Sequence, residues 1–396
     1  MSTPEAFYRE AIDLNRYSNK VQFQIATEFN EVILDVLRKI RDVEGNTPAS
    51  QARLQAILSQ MVESLKGWEN ESSIYMIEEM QNLAEFQVGF VQDQLQKVIP
   101  KGEYQVNTVA VSPDFAKSVV TRDPTKLTIR LRDKDGVFRS AQFALTAKRG
   151  SDISLPNGDT VKKSFRGVAD SSASKISRAI RLGVLEGESL QKITRRLKGP
   201  NLRFNSKPQN AIALNSALKN SEGMFLSNKQ IQTVVRTTVN QVQNAASQAV
   251  YAANEDITGQ YQYVATLDAR TSSICQRLDG QFFKYNQGPV PPQHFNCRST
   301  TVPVLDDDVL ARAFPNTRPS ATGRVPQDTN YANWLKDNPD IQDKVLGKKK
   351  KYFNFLMSSN RGNKQLNATN ALKKIIREDG SELTLKELAD KYKDAN

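Results

Sequence analysis

From Phe7 to Val43 an apolar residue returns every three or four positions, at Leu14, Tyr17, Val21, Ile25, Phe29, Val32, Val36 and Ile40. Only an α-helix places such a series on one face, so this stretch has to be a long amphipathic helix seeking cover for its stripe. Gly45-Asn46-Thr47-Pro48 ends it, and the same period resumes from Leu54 through Ile57, Met61, Leu65, Ile77, Met80, Phe86 and Phe90 to Leu95. That second stretch predicts one helix, or two with a break at Gly67. The stripes can be covered by the helices folding on each other as a bundle, or by another protein. With 38% hydrophobic and 25% charged residues over 396 positions, the chain has apolar material for ordinary packed cores, and wholesale disorder is excluded.

Beyond Pro100 the period shifts to two. Tyr104 to Val111, Lys126 to Arg132 and Val137 to Leu145 alternate polar and apolar residues, and Lys134-Asp135-Gly136 and Asn157-Gly158-Asp159 supply turn chemistry. A small antiparallel β segment is expected, in which Lys126, Thr128, Arg130 and Arg132 share one face. Helical spacing returns after Asp170, with Ile176, Ile180, Val184, Leu190, Ile193 and Leu197 as the buried stripe and Arg178, Arg181, Lys192, Arg195 and Arg196 around it. Ser227 with Gln230 resembles a capping box that opens a Gln-, Asn- and Ala-rich helix reaching Asn254. Pro315, Pro319, Gly323 and Pro326 mark residues 313–330 as an exposed linker, and the tail beyond is helical in patches. Four lysines run from Lys348 to Lys351, either solvated or resting on phosphate. The expected organisation is an acidic helical region at 1–99, a basic β segment at 100–170, a helical domain with a loop-rich tip at 171–312, the linker, and a helical tail at 331–396. The fold class is α+β, mostly helical.

Charge is segregated along this order. Residues 1–99 carry 9 basic and 15 acidic side chains, a net −6; residues 100–210 carry 22 and 10, a net +12; residues 211–396 add +6. A field divided in this way can hold a polyanion on one region while another faces a protein partner, although a basic surface can also be merely solvated. No window approaches the roughly 18 uncharged apolar residues of a membrane-spanning helix, and Met1-Ser2-Thr3-Pro4-Glu5 lacks the basic stretch and apolar core of a secretory signal. A chain made and kept in a cytoplasm, without a membrane anchor, is expected.

Both cysteines and the sole histidine fall in one short block. It reads Thr266-Leu-Asp268-Ala-Arg270-Thr271-Ser-Ser-Ile-Cys275-Gln-Arg-Leu-Asp279-Gly280, then a loop, then Pro291-Pro-Gln-His294-Phe-Asn296-Cys297-Arg298. One histidine excludes any mechanism that needs two, and two cysteines cannot staple a secreted module. Cys275, His294 and Cys297 could supply three ligands of a tetrahedral zinc, with Asp268, Asp279 or water as the fourth. The competing reading is two thiols packed as small hydrophobes around a hydrogen-bonded ring, with no cofactor. Asp268 and Arg270 suit a capped turn, Asp279-Gly280 a tight turn, and Arg298 a partner for one of the two carboxylates.

This block resembles the signature of the phage Mu F-like head morphogenesis family, also called minor head proteins: a TLD-x-RT opening, a Cys, a DG turn, a Pro-rich approach and a closing H-x-N-C-R-C. Val234-Val235-Arg236-Thr237-Thr238-Val239-Asn240 occupies the position of the family's preceding helix, and Ser189-Leu190 through Ile193 to Leu197 is similar to its upstream helix. Tyr331-Ala-Asn-Trp334-Leu335, Val345-Leu346-Gly347 and Asp379-Gly380-Ser-Glu-Leu383-Thr384-Leu385 resemble the ending of many such proteins, so the likeness spans roughly residues 175–396. Two departures stand out: Ser299 replaces the last cysteine, removing a candidate ligand, and the glutamate common in the preceding helix is absent.

The resemblance implies a virion protein that acts in head morphogenesis at the portal vertex, inside the head, after assembly in host cytoplasm. Its partners would be the portal protein, with scaffold or major capsid protein as further ones, and double-stranded DNA without sequence preference, with departure alongside the genome an open part of the role. Lys126, Arg130, Arg132, Arg178, Arg181, Arg195 and Arg196 are the candidate DNA contacts, and Asp268, Arg270, Thr271, Cys275, Asp279, Gly280, His294, Asn296, Cys297 and Arg298 the structural signature. The alternative is an enzyme delivered with the DNA, a nuclease or toxin-like transferase. Against it, the sequence shows no phosphate-binding glycine loop, no histidine pair and no nucleophile-base arrangement.

Overall fold

A computed structural model of the chain describes residues 3–44, 47–98, 106–111, 126–132, 138–144, 153, 155–205, 208–285, 287–305, 317–358 and 365–393. The expected class holds: the described chain is mostly helical, with small antiparallel sheets.

The first apolar stripe forms α1 (Thr3–Arg41) and the second forms one helix, α2 (Pro48–Val98). Gly67 does not break α2. A Cβ there would meet nothing within 4 Å, and the flexibility of one glycine costs a helix only about 1 kcal/mol, well below what the flanking packing returns. The next residue is an anchor: Trp68 is 2% exposed, its indole N–H donates to the Ile25 carbonyl at 3.1 Å, and its ring meets Phe29 and Phe165 edge-on.

The chain re-enters helix earlier than its periodicity predicts, in α3 (Val161–Leu185) rather than after Asp170. The cause is local: Thr160 caps it by accepting from the Lys163 amide, directly behind the Asn157-Gly158-Asp159 turn, where Gly158 takes φ +84°. That turn therefore launches a helix instead of joining two strands. After α4 (Leu190–Lys198) and α5 (Ala211–Leu218) comes α6 (Met224–Ala253). It starts at Gly223, not at a Ser227 cap. Ser227 lies inside the first turn, 1% exposed, sharing a 2.8 Å hydrogen bond with the Ser172 hydroxyl of α3.

Helices α1, α2, α3 and α6 pack on one another and share one continuous apolar core that runs in sequence from Phe7 to Leu305. The two front helices are thus covered by helices of the central region.

The β segment is a three-stranded antiparallel sheet of β1 (Thr108–Ala110), β2 (Lys126–Arg132) and β3 (Phe138–Ala144), with Lys126 opposite Ala144 and Arg132 opposite both Phe138 and Thr108. The turn at Lys134 to Gly136 lies outside the described residues. A second sheet places β4 (Gln260–Val264) between β5 (Phe282–Phe283) and β6 (Thr300–Val304), bracketing the short α8 (Ser273–Leu278). α7 (Glu255–Thr258) leads into β4.

The supposed linker is structured where it is described, as a hairpin of β7 (Thr317–Ser320) and β8 (Gly323–Pro326). The tail, α9 (Tyr331–Lys336), α10 (Pro339–Leu346), α11 (Lys350–Met357), α12 (Ala368–Ile375) and α13 (Leu385–Lys391), packs a separate small core around Trp334, Phe353 and Leu372. Two of the four consecutive lysines are paired there, Lys349 with Glu382 at 2.6 Å and Lys350 with Asp343 at 2.9 Å.

Candidate functional site

The second sheet and α8 bring the signature residues together beside the middle of α6, against Thr233, Thr237 and Asn240. Cys275 is held at 1% exposure and Cys297 at 3%, both reduced, packed with Tyr263 and Ala265 of the β4 strand and its continuation. Their sulfurs are 3.7 Å apart, and His294 Nε2 lies 3.4 Å from the Cys275 sulfur and 2.7 Å from the Ser272 hydroxyl. On the far side of the ring, Nδ1 sits 2.8 Å from the Phe295 carbonyl. A carbonyl only accepts, so Nδ1 carries a proton and Nε2 is the nitrogen turned toward the thiols. The Tyr263 hydroxyl closes the group at 3.2 Å from Cys275.

Electrostatics follow from this crowding. The hydrogen bond between the thiols makes them share one ionisation: it holds Cys297 down at about 6, against burial, and with burial pushes Cys275 up to about 12. The Cys275 contact also raises His294 above the ordinary histidine range although burial opposes it.

The three donor atoms lie within 4.8 Å of one another. Zinc bonds of about 2.3 Å to sulfur and 2.0–2.1 Å to nitrogen imply tetrahedral edges of about 3.8 Å and 3.5–3.6 Å; the two edges at Cys275, 3.7 Å and 3.4 Å, match those lengths, while the edge from His294 to Cys297 is held only to within 4.8 Å. Neither sequence candidate supplies a fourth corner. Asp279 is fully committed: Oδ1 accepts from the Ala265 amide and Arg318, and Oδ2 from Arg318 and the Tyr331 amide. Asp268 is gripped by both arms of Arg298 at 2.6 and 2.8 Å.

The rest of the signature builds the walls. Asp268 also accepts from the Arg270 amide at 2.9 Å, the Arg270 side chain stays exposed, and the Thr271 hydroxyl donates to the Thr266 carbonyl at 2.5 Å. Gly280 takes φ +78°, where its amide donates to the Tyr263 carbonyl and a Cβ would press on Asn330. Asn296, at φ +58°, ties the tip to α6: its amide donates to the Thr237 hydroxyl and its side chain to Thr233, both at 3.0 Å. Ser299, where the family has cysteine, is 2% exposed and its carbonyl accepts from Asn240 of α6.

Burial alone would raise the Asp268 carboxyl, but the Arg298 fork outweighs it and holds the carboxyl at about 2. A depressed carboxylate contributes stability above its unfolded value near 4 and loses it as pH falls from there to 2. The contribution is about 2 kcal/mol. Urea unfolding at pH 6 and pH 2.5 should therefore show a smaller pH effect in Asp268→Asn than in the parent; an identical pH dependence in both would refute the pairing.

Two groups of residues carried no signal that sequence reasoning used. Arg318, inside the supposed linker, is 4% exposed and forms the buried ion pair with Asp279. The polar residues of α6 are not a solvated face. Gln243 donates to the Thr300 hydroxyl at 3.2 Å, Gln248 to the Thr301 hydroxyl at 3.0 Å, and Tyr251 to the Thr301 carbonyl at 3.2 Å, stitching α6 to β6. The only available hint was composition: a helix that alternates amides with alanine and valine can bury the amides where a strand edge offers partners.

The candidate phosphate contacts are dispersed. Arg178 and Arg181 on α3 and Arg195 on α4 are exposed. Arg196, also exposed, is paired with Glu188 at 3.1 Å and Glu222 at 2.7 Å. Lys126, Arg130 and Arg132 lie along β2, and their side chains are outside the described residues.

Among curated proteins and solved structures, none matches this chain. A family model does: residues 174–302 match the one described as Phage Mu protein F like protein, a span that runs from α3 to β6 and encloses the compact knot formed by Cys275, His294 and Cys297. The tail beyond residue 302 lies outside that match. Over residues 174–302, the chain carries a domain of the Phage Mu protein F like family.

Proposed function

We propose that this protein is a minor head protein of a tailed bacteriophage, acting in head morphogenesis at the portal vertex, with the basic middle region facing packaged DNA. The family match over residues 174–302 carries the reading. The charge map supports it: the net −6 of residues 1–99 repels a polyanion, while the net +12 of residues 100–210 attracts one. The knot is structural in this reading. Two sulfurs at 1% and 3% exposure present no face to a substrate, which counts against a nuclease or transferase. The role needs no cofactor, and a zinc held by Cys275, His294 and Cys297 would reinforce the same tip.

Mass spectrometry of purified procapsids and virions should find the chain in both; its presence only in soluble lysate would sink the assignment. His294→Ala should reduce incorporation rather than erase a turnover.

The DNA contact has its own test. Binding to duplex DNA should be indifferent to sequence and should weaken steeply as salt rises, because phosphate contacts release counterions. Neutralising Lys126, Arg130 and Arg132 together, or the exposed Arg178, Arg181 and Arg195, should flatten that salt slope. An unchanged slope in both sets would take the basic region off the DNA.

A further inference from the structure

Between the first turns of α1 and the last third of α2 lies a cavity of about 570 Å³ that the head-protein reading does not use. Its walls are Tyr17, Leu83, Phe86 and Phe90, and Glu10 and Glu79 are among its polar groups. Phe86 is 61% exposed although it is a large aromatic, and it stacks on Phe90 with ring centroids 6.4 Å apart. Glu10 is the reverse case. Its residue is only 6% exposed and its Oε1 has no hydrogen-bond partner. Glu79 is held in place by the Tyr17 hydroxyl at 2.6 Å. With Asp13 and Arg9, the lining carries three carboxylates against one guanidinium.

A buried carboxylate oxygen without a partner is costly, and in a native fold such an atom calls for an explanation. Burial pushes the Glu10 carboxyl up to about 8, the Gln87 amide offsetting part of the rise and Asp13 adding to it. A cation placed against Glu10 would reverse that rise and draw the proton off. Anions are repelled by the three carboxylates, and a free hydrated ion gains nothing from aromatic walls. A guanidinium gains twice, by pairing with the carboxylate and by stacking on aromatic faces. The volume falls within the roughly 300–1,000 Å³ of ordinary ligand pockets, room for a short segment with an apolar flank.

We propose that this groove docks an arginine-bearing, apolar segment of a partner protein onto the acidic front of the chain. Only the partner's identity as a head protein rests on the functional reading above; the chemistry of the groove stands apart from it. The charge of the region agrees, since a basic segment meets a front of net −6.

Calorimetry on the full chain at pH 7 tests this with two acetylated, amidated hexapeptides, Ser-Leu-Leu-Arg-Phe-Ser and the same peptide with the uncharged isostere citrulline for arginine. The arginine peptide should bind about tenfold more tightly, consistent with a charge-assisted pair, and should release protons, seen by comparing two buffers of different ionisation enthalpy. Glu10→Gln should abolish both the preference and the release. Phe86→Ala, which alters an exposed ring and so spares the fold, should weaken both peptides alike. Equal binding of the two peptides, a preference that survives in Glu10→Gln, or no binding at all would overturn the proposal. Peptide failure with the chain present in procapsids removes the groove alone; a chain absent from procapsids removes the head assignment and leaves the peptide result intact.

Discussion

Residues 174–302, produced alone, should fail to fold. The family match ends inside the molecule's shared core: α6 lays Val235, Val239, Val242, Ala246 and Val250, each at most 3% exposed, into a core whose other walls include α1 and α2. Polar links cross the same boundary, Gln87 to Ser247 at 2.9 Å, Arg236 to Asn19 at 2.8 Å and Gln232 to Gln22 at 3.2 Å. Cutting at 174 also halves α3 and removes Phe165, which meets Trp68. Returning half a dozen apolar side chains to water costs about 1.5–3 kcal/mol each, on the order of 10 kcal/mol in sum, which is the size of an entire domain's stability. The fragment should be insoluble, or soluble with no cooperative melt by circular dichroism, while the full chain melts cooperatively. A well-dispersed amide NMR spectrum from residues 174–302 alone would show that the front helices are an accessory after all.

Arg318→Ala should destabilise the full chain by about 3–5 kcal/mol, the loss typical when one partner of a buried ion pair is removed. Asp279 is 4% exposed and its side chain has no exposure at all, so the carboxylate would keep only the Ala265 and Tyr331 amides as donors. Arg318 further ties the hairpin to the tip by donating to the Ala265 and Thr329 carbonyls, at 2.7 and 3.0 Å. Its loss thus frees two carbonyls as well as one charge. Arg318→Met with Asp279→Asn, which leaves no unpaired charge, should recover part of the loss. Urea unfolding of the parent, both single variants and the double variant closes the cycle. A cost below about 1 kcal/mol for Arg318→Ala would mean that the pair behaves as a surface bridge.

Much of the site was legible in the chain itself. The clustering of Cys275, His294 and Cys297, the Asp268 turn, the Asp279-Gly280 turn and the pairing of Arg298 all fall within the one block from Thr266 to Arg298, and the structure places all of them in one tip. What the same reading missed or left open has a common cause. Arg318 stands among prolines, and local composition reads such a stretch as exposed, although its carboxylate partner waits 39 residues away. At Gly67 the choice between one helix and two stayed open because propensity counts a glycine's cost without the Trp68 packing beside it.

Legible along the chain were the long helical stretches, the change of period from 3.6 to 2, the separation of acidic front from basic middle, and the family signature of the tip. The periods are properties of neighbours along the chain, fixed by backbone geometry within about one or two helical turns, and the charge division and the signature need only the order of residues. The tertiary arrangement alone shows that the front helices and the family domain share one core, that α6 buries its amides against β6, that a proline-rich stretch delivers a buried arginine to Asp279, and that Glu10 is buried beside a groove with one carboxylate oxygen unpartnered. These depend on which surfaces meet across tens to hundreds of residues. A side chain's period says which face it lies on, but its burial and partners come from whatever the rest of the fold lays against that face.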